Sequence, residues 1–187
     1  LIVVIWVARK KFRRFQYWQL LTCLWLSFGL VGLAVALRIQ ARKADANVVS
    51  RSRNFYGTLK VCEYRKNEPE GHYFLLQHGR ITHGIQFVDP VRAKWATTYY
   101  TEGSGIALGM EALPNTARRI GVVGLGTGSM AVFGRAGDYL RIYDINADVE
   151  RLATSRFTYL SNCPARVEIA LGDARLSLER EPPQEFD

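Results

Sequence analysis

The chain has 187 residues, 48% of them hydrophobic, which is enough for one globular domain of ordinary size and something small besides. The chain has 25 basic and 17 acidic residues. Eleven of the basic residues and one of the acidic residues lie at or before Lys60, so the part of the chain after Lys60 is close to neutral. The high pI therefore does not indicate a nucleic-acid-binding domain. The cysteines are far apart and predict neither a disulfide framework nor a metal site: Cys23, Cys62 and Cys163.

A long uncharged stretch follows the basic segment RKKFRRF. Between Arg14 and Arg38 lie the residues FQYWQLLTCLWLSFGLVGLAVAL. As a helix rising about 1.5 Å per residue they would extend about 35 Å, which is enough to cross a bilayer. The opening LIVVIWVA is typical of the end of a preceding span, joined by a basic loop. The sequence thus predicts transmembrane segments in residues 1–44. A signal peptide, with AVA at 34–36, is the main alternative.

Residues 45–95 have the composition of a soluble domain. NFYGTLKVCEY and HYFLLQHGRITHGIQFV are rich in aromatic and β-branched residues, and they predict a small antiparallel sheet of three or four strands. His78 and His83 fall in this predicted hairpin and are expected to be ordinary surface or turn histidines. The next segment, TTYYTEGSGIALGMEAL, predicts a helix with four apolar residues facing inward: Ile106, Leu108, Met110 and Leu113.

Residues 96–187 alternate between strand-like and helix-like stretches. Strands are predicted at 119–124, 138–144 and 166–171, with a helix at 147–160. Such alternation is typical of a parallel sheet with crossover helices. The predicted fold class is therefore α/β.

The stretch VVGLGTGS contains three glycines between a strand and a helical segment: Gly124, Gly126 and Gly128. Glycines there allow a tight turn and a close approach of the backbone to a ligand, while free N–H groups at the helix start face it. The dinucleotide fingerprint G-x-G-x-x-G needs a glycine where Ser129 stands. The observed G-x-G-x-G spacing instead favours a nucleoside-sulfonium ligand of the S-adenosylmethionine type.

Two acidic residues follow the next predicted strands. Asp144 lies 20 residues after Gly124, where a carboxylate can accept hydrogen bonds from ribose hydroxyls. Asp173, next to Ala174, ends the third strand, where it would reach an adenine amino group. Helix capping is the alternative role for each carboxylate. Tyr99 and Tyr100 either line an amine pocket or serve packing.

The stretch from about 51 to 187 resembles the spermidine synthase (polyamine aminopropyltransferase) family, in particular its membrane-attached branch. The resemblance is carried by RNFYGTLKV, LLQHGRITHGIQF, TTYYTEGSGIALGM, GVVGLGTGSM, YDIN and LGDARLSLEREPPQEFD. It implies a β-domain followed by a Rossmann-like methyltransferase-type domain, and a homodimer. It also implies that the three glycines hold the amino-acid-like part of decarboxylated S-adenosylmethionine, Asp144 the ribose, and Asp173 with Ala174 the adenine.

The family's reaction is aminopropyl transfer to a putrescine-type amine, with release of methylthioadenosine and without a metal. Two departures bear on this expectation. Asn146 stands where the family has a second acid, and the acids that recognise a diamine are not clearly present. The resemblance places the general base beyond Asp187, so the catalytic residues are unknown and residues 1–187 alone are expected to be inactive.

Two other functions stay open from the sequence: an S-adenosylmethionine-dependent methyltransferase, and a non-catalytic membrane-attached nucleoside-binding module. The protein is expected in the cell membrane. Five basic residues precede the predicted span and three follow it, which weakly favours an extracytoplasmic domain. The cofactor, however, is made in the cytosol, and this favours a cytoplasmic domain.

Overall fold

The structure is a computed structural model that describes the backbone of residues 2–187 and the side chains of residues 17–43 and 45–187. Its contacts divide the chain into two units, Leu1–Ala46 and Asn47–Asp187.

The first unit is a single helix, α1 (Ile2–Asp45). Its segment Tyr17–Lys43 is long and apolar enough to cross a membrane, and the most apolar part of that segment is not buried. Length and composition of this kind also occur in signal sequences. The helix continues through residues 9–15, where the sequence predicts a loop. Lysine and arginine are good helix formers and no glycine or proline precedes Gly29, so nothing in the basic segment interrupts the helix.

The second unit begins with a four-stranded antiparallel sheet whose strands lie in chain order. The strands are β1 (Val48–Asn54), β2 (Gly57–Tyr64), β3 (Tyr73–His78) and β4 (Ile81–Phe87). The predicted run NFYGTLKVCEY is divided by a turn at Phe55 and Tyr56. The Asn54 side chain accepts a hydrogen bond from the Tyr56 amide at 3.0 Å, which stabilises this turn.

A parallel sheet follows, with strand order β5-β6-β7. Its elements, with the helix that precedes it, are α2 (Gly105–Ala112), β5 (Arg119–Val123), β6 (Tyr139–Asp144), α3 (Ala147–Arg156), β7 (Arg166–Leu171) and α4 (Ala174–Arg180). Short 3-10 helices occur at Arg92–Lys94, Thr98–Tyr100 and Ser129–Phe133. The prediction of a mixed α/β chain, with an apolar N-terminal helix, an antiparallel sheet and then a parallel sheet, is confirmed.

The burial predicted for α2 is partly wrong. Met110 is buried, but Ile106 and Leu108 are 40% and 55% exposed. The helix has eight residues and buries the face that carries Ala107 and Met110, which are three positions apart. Because neighbouring positions on a helix point about 100° apart, Ile106 and Leu108 lie on either side of that face.

The two sheets share one hydrophobic core. Leu59, Val61 and Leu76 of the antiparallel sheet pack in one cluster with residues of the parallel sheet and α3, including Ile142 and Leu152.

After α4, the chain returns to β5, at the edge of the parallel sheet opposite β7. The Arg119 carbonyl accepts a hydrogen bond from the Asp187 amide at 3.0 Å, on the side of β5 that faces away from β6.

A buried ion pair joins the beginnings of β5 and β6. The Arg118 guanidinium donates to the Asp138 carboxylate from Nε at 3.1 Å and from one terminal nitrogen at 2.5 Å. The guanidinium also donates to the carbonyls of Met110 and Phe133. Burial by itself would raise the pKa of Asp138, but hydrogen bonds from Arg118 and from the Arg135 amide outweigh it and lower this pKa to about 2.

We expect Arg118→Met to lower the free energy of unfolding by about 3–5 kcal/mol, because it leaves the Asp138 carboxylate buried without its cation. Arg175→Met is the matched control, since Arg175 is exposed and pairs on the surface with Glu179. It should change stability by less than about 1 kcal/mol. Urea unfolding of the full chain in detergent, followed by circular dichroism, measures both. Equal stability of the two variants would contradict the structural role of the buried pair.

Candidate functional site

A cavity of about 430 Å³ lies between the antiparallel sheet and the carboxyl ends of β5 and β6. One wall carries His78 and His83, from β3 and β4. The opposite wall carries Gly124, Gly126 and Asp144. Tyr56, Tyr99, Tyr100 and Asn146 also line it, with the apolar side chains Leu59, Leu76, Val123, Ile145 and Val149.

A second cavity, of about 380 Å³, adjoins the first along Asp144. Its distinct lining comes from Tyr143 and from the residues that follow β7, namely Gly172, Asp173, Ala174 and Arg175. Both cavities share four residues: Val123, Gly124, Asp144 and Ile145. Asp144 is therefore the carboxylate that both cavities have in common.

The three predicted glycines have different surroundings. All have positive φ angles, +94° at Gly124, +56° at Gly126 and +84° at Gly128. A Cβ on Gly124 would meet nothing within 4 Å, whereas one on Gly128 would lie 3.0 Å from a Leu160 side-chain carbon. The structure thus brings Gly124 and Gly126 to the cavity and packs the buried Gly128 against the core.

Ser129, which stands in place of the third fingerprint glycine, is buried next to Gly128. Its hydroxyl lies 2.6 Å from the Thr127 hydroxyl, and both side chains are buried. The glycine loop therefore ends in a pair of buried hydroxyls that are within hydrogen-bond distance of each other.

Asp144 ends β6 and fixes the glycine loop. One carboxylate oxygen accepts from the Leu125 amide and the other from the Asn146 amide, each at 2.8 Å. The N-cap of α3 is Asn146, whose side chain accepts from the Asp148 amide at 3.1 Å. Asp144 is therefore not the cap of that helix. Because each carboxylate oxygen can accept more than one hydrogen bond, Asp144 keeps acceptor capacity for a ligand.

Asp173 has the capping role that the sequence left as an alternative. Its carboxylate accepts from the Leu176 amide at 3.0 Å and caps α4. Asp173 is exposed and, together with Ala174, also lines the second cavity. Capping one amide does not prevent a carboxylate from accepting a further hydrogen bond at its other oxygen.

Tyr99 and Tyr100 lie together in the first cavity. Their ring centroids are 4.7 Å apart, and the Tyr99 hydroxyl donates to the His83 carbonyl at 3.2 Å. Burial raises the pKa of both phenols, so they stay protonated near neutral pH. Both tyrosines therefore line the first cavity and are not part of the hydrophobic core.

The sequence did not predict the two histidines as part of a site. Their ring centroids are 5.7 Å apart, because His78 and His83 lie on neighbouring strands joined by a two-residue turn. In the strand register Leu76 pairs with Gly84 and Gln77 with Thr82, so His83 is the extra residue of a β-bulge. The short turn is visible in the sequence as Gly79-Arg80. The bulge that brings His83 into the cavity is not.

Among the side chains that the structure describes, no group of histidine, cysteine and acidic residues could hold a metal ion. The chain matches no family model. It also matches no curated protein sequence.

The pKa of His83 is expected to lie below its ordinary value of 6.5. Burial lowers it most, His78 lowers it further, and Asp144 raises it. Replacing His78 by Gln should therefore raise this pKa, and Asp144→Asn should lower it. Histidine ring protons titrated by NMR test these directions, with His72 as the reference because it lies outside the cavity. A lower His83 pKa in His78→Gln, or a higher one in Asp144→Asn, would contradict the arrangement of the three groups.

Alanine substitutions should separate the two kinds of glycine. Gly124→Ala introduces backbone strain of about 1–2 kcal/mol at a positive φ but finds open space. Gly128→Ala introduces similar strain and also collides with Leu160, which adds about 1–3 kcal/mol. The melting temperature should therefore fall further in Gly128→Ala. A larger fall in Gly124→Ala would contradict the packing described for the loop.

Proposed function

We propose that this protein is a membrane-attached, spermidine synthase-like aminopropyltransferase that binds decarboxylated S-adenosylmethionine across the two cavities. The observation that carries the proposal is the position of Asp144 at the junction of both cavities, beside the glycine loop. A nucleoside with a chain on its 5′ carbon has a sugar in its middle, and the sugar carries the hydroxyls that a carboxylate binds.

The ligand would lie with its ribose at Asp144. Its adenine would occupy the second cavity, against Ile145 and near the carboxylate of Asp173. Its aminopropyl chain would follow Gly124 and Gly126 into the first cavity. Gly128 would contribute indirectly, by supporting the loop.

The order of the strands supports this placement. β6 and β7 lie on one side of β5, and the final residues lie along its other edge. We interpret this as a doubly wound, Rossmann-like arrangement, in which strands are added first on one side of β5 and then on its other side. Ligands of such sheets bind outside the carboxyl ends of the strands, at the place where the strand order reverses. In this chain that place is the carboxyl end of β5, which Gly124 follows.

The proposed reaction is a displacement at carbon. The amine nitrogen attacks the carbon next to the sulfonium, a C–N bond forms, and the C–S bond breaks with its electron pair going to sulfur. The products are methylthioadenosine and the aminopropylated amine, whose nitrogen loses one proton. Because the sulfonium is already a good leaving group, the protein has to position the amine and remove that proton.

The first cavity offers groups for the amine. Tyr99 and Tyr100 present aromatic faces that can bind an ammonium group. His83 offers a proton acceptor in the same cavity, because its lowered pKa keeps it neutral near pH 7. The family resemblance adds a general base beyond Asp187. Among the described residues that line this cavity, Asp144 is the acidic one, so a diamine's second ammonium group would depend on the aromatic faces.

We also propose that the helix α1 anchors the protein in the cell membrane and that the second unit lies in the cytoplasm, where its co-substrate is made. A reporter fused after Asp187 tests the side of the membrane. Activity of an extracytoplasmic reporter would contradict this part of the proposal.

Calorimetry of the full chain with decarboxylated S-adenosylmethionine, S-adenosylmethionine and methylthioadenosine tests the function. We expect binding of methylthioadenosine and a preference for the decarboxylated form. A preference for S-adenosylmethionine would instead favour methyl transfer. No binding of any adenosyl compound would favour a module without this activity.

Asp144→Asn should weaken methylthioadenosine binding about 10- to 100-fold, because the ribose hydroxyls lose charge-assisted hydrogen bonds. Asp89→Asn is the matched control: Asp89 is an acid whose carboxylate caps the turn at Val91 and Arg92, outside both cavities. It should bind like the wild type. Unchanged affinity in Asp144→Asn would assign that carboxylate to the glycine loop alone.

A further inference from the structure

Asn146 has a buried polar group that the described residues leave unsatisfied. The residue is 3% exposed and belongs to the wall of the first cavity. Its Nδ2 has no hydrogen-bond partner. Buried side-chain donors are nearly always paired, because an unpaired one loses its hydration without compensation. An unpaired donor on a residue that lines a cavity therefore points to a ligand.

The orientation of this carboxamide is fixed by its other atom. Oδ1 accepts from the Asp148 amide at 3.1 Å and from the Asn54 side-chain nitrogen at 2.6 Å. The same Asn54 nitrogen donates to the Asp148 carboxylate at 2.8 Å. If the Asn146 oxygen and nitrogen exchanged places, its NH2 group would face two donors. The unpaired atom is therefore the nitrogen.

The residue with the unpaired donor lies two positions after a hydrogen-bond acceptor, Asp144. The Asn146 amide donates to the Asp144 carboxylate at 2.8 Å, which holds the two residues together at the start of α3. A carboxylate accepts hydrogen bonds and a carboxamide NH2 donates them. A hydroxyl can satisfy both, since it donates one hydrogen and accepts at its oxygen. An ammonium group only donates, and a carboxylate or phosphate would be repelled by Asp144.

We propose that Asn146 is a ligand-binding residue, whose Nδ2 donates to the oxygen of a sugar hydroxyl that donates its own hydrogen to Asp144. This inference rests on the proposed function and deepens it: the site recognises the ribose through a carboxylate and a carboxamide together.

The test measures the affinity of the full chain for methylthioadenosine and for its 2′-deoxy and 3′-deoxy analogues. Asn146→Ser keeps a hydroxyl that can cap α3 but lacks the donor arm. Asn146→Asp keeps the Oδ1 position and replaces only the NH2 group. We expect both variants to bind methylthioadenosine about tenfold more weakly than the wild type, as for the loss of one hydrogen bond.

The deoxy analogues distinguish ligand contact from structural support. In the wild type, removing the contacted hydroxyl should also cost about tenfold, and in Asn146→Ser that removal should cost almost nothing more. Melting temperatures show that the variants are folded. Two results would overturn the inference and assign Nδ2 to an ordered water. The first is unchanged affinity for methylthioadenosine in both variants. The second is that, for both deoxy analogues, removing the hydroxyl weakens binding as much in Asn146→Ser as in the wild type. Failure of the wild type to bind methylthioadenosine would overturn the proposed function and this inference with it.

Discussion

The buried pair of Arg118 and Asp138 is the interaction on which the parallel sheet depends. It lies at the amino ends of β5 and β6, and the same guanidinium holds the carbonyls of Met110 and Phe133. One cation therefore joins the end of α2, the segment after the glycine loop and two strands. Because an unpaired charge in this place is costly, the pair favours one alignment of these elements over others.

That alignment determines what meets at the other end of the sheet. β5 and β6 run in parallel register, with Val123 opposite Tyr143. Gly124, which follows β5, and Asp144, the last residue of β6, consequently lie at the same level. The Leu125 amide can then donate to the Asp144 carboxylate, so the loop is held by the residue that we propose as the ribose ligand. Loop shape and ligand position are thus controlled by one carboxylate.

The sequence was sufficient for features that depend on local pattern. β7 is found where it was predicted, and the glycine loop follows an apolar strand as expected. Features that depend on tertiary contacts were not predictable. Both Ile106 and Leu108 are apolar, yet only contacts with other elements decide which face of α2 is buried. The bulge at His83 depends on how β4 pairs with β3. The orientation that leaves Nδ2 of Asn146 unpaired depends on Asn54, which is distant in sequence.

The histidines and Asp144, which line the same cavity, come from different sheets, and in the proposed function this separates acceptor binding from adenosyl binding. Gln86 of β4 is buried and exchanges hydrogen bonds with the backbone and side chain of Thr158, which holds β4 against the segment after α3. β4 carries His83, while the parallel sheet carries Asp144, which we propose as the ribose ligand. Because β4 is fixed in this way, substitutions of the antiparallel-sheet side chains in the cavity should leave the position of Asp144 unaltered. If the proposed aminopropyl transfer is the function, its acceptor specificity is to be sought among Tyr99, Tyr100 and the histidine pair, which line the first cavity.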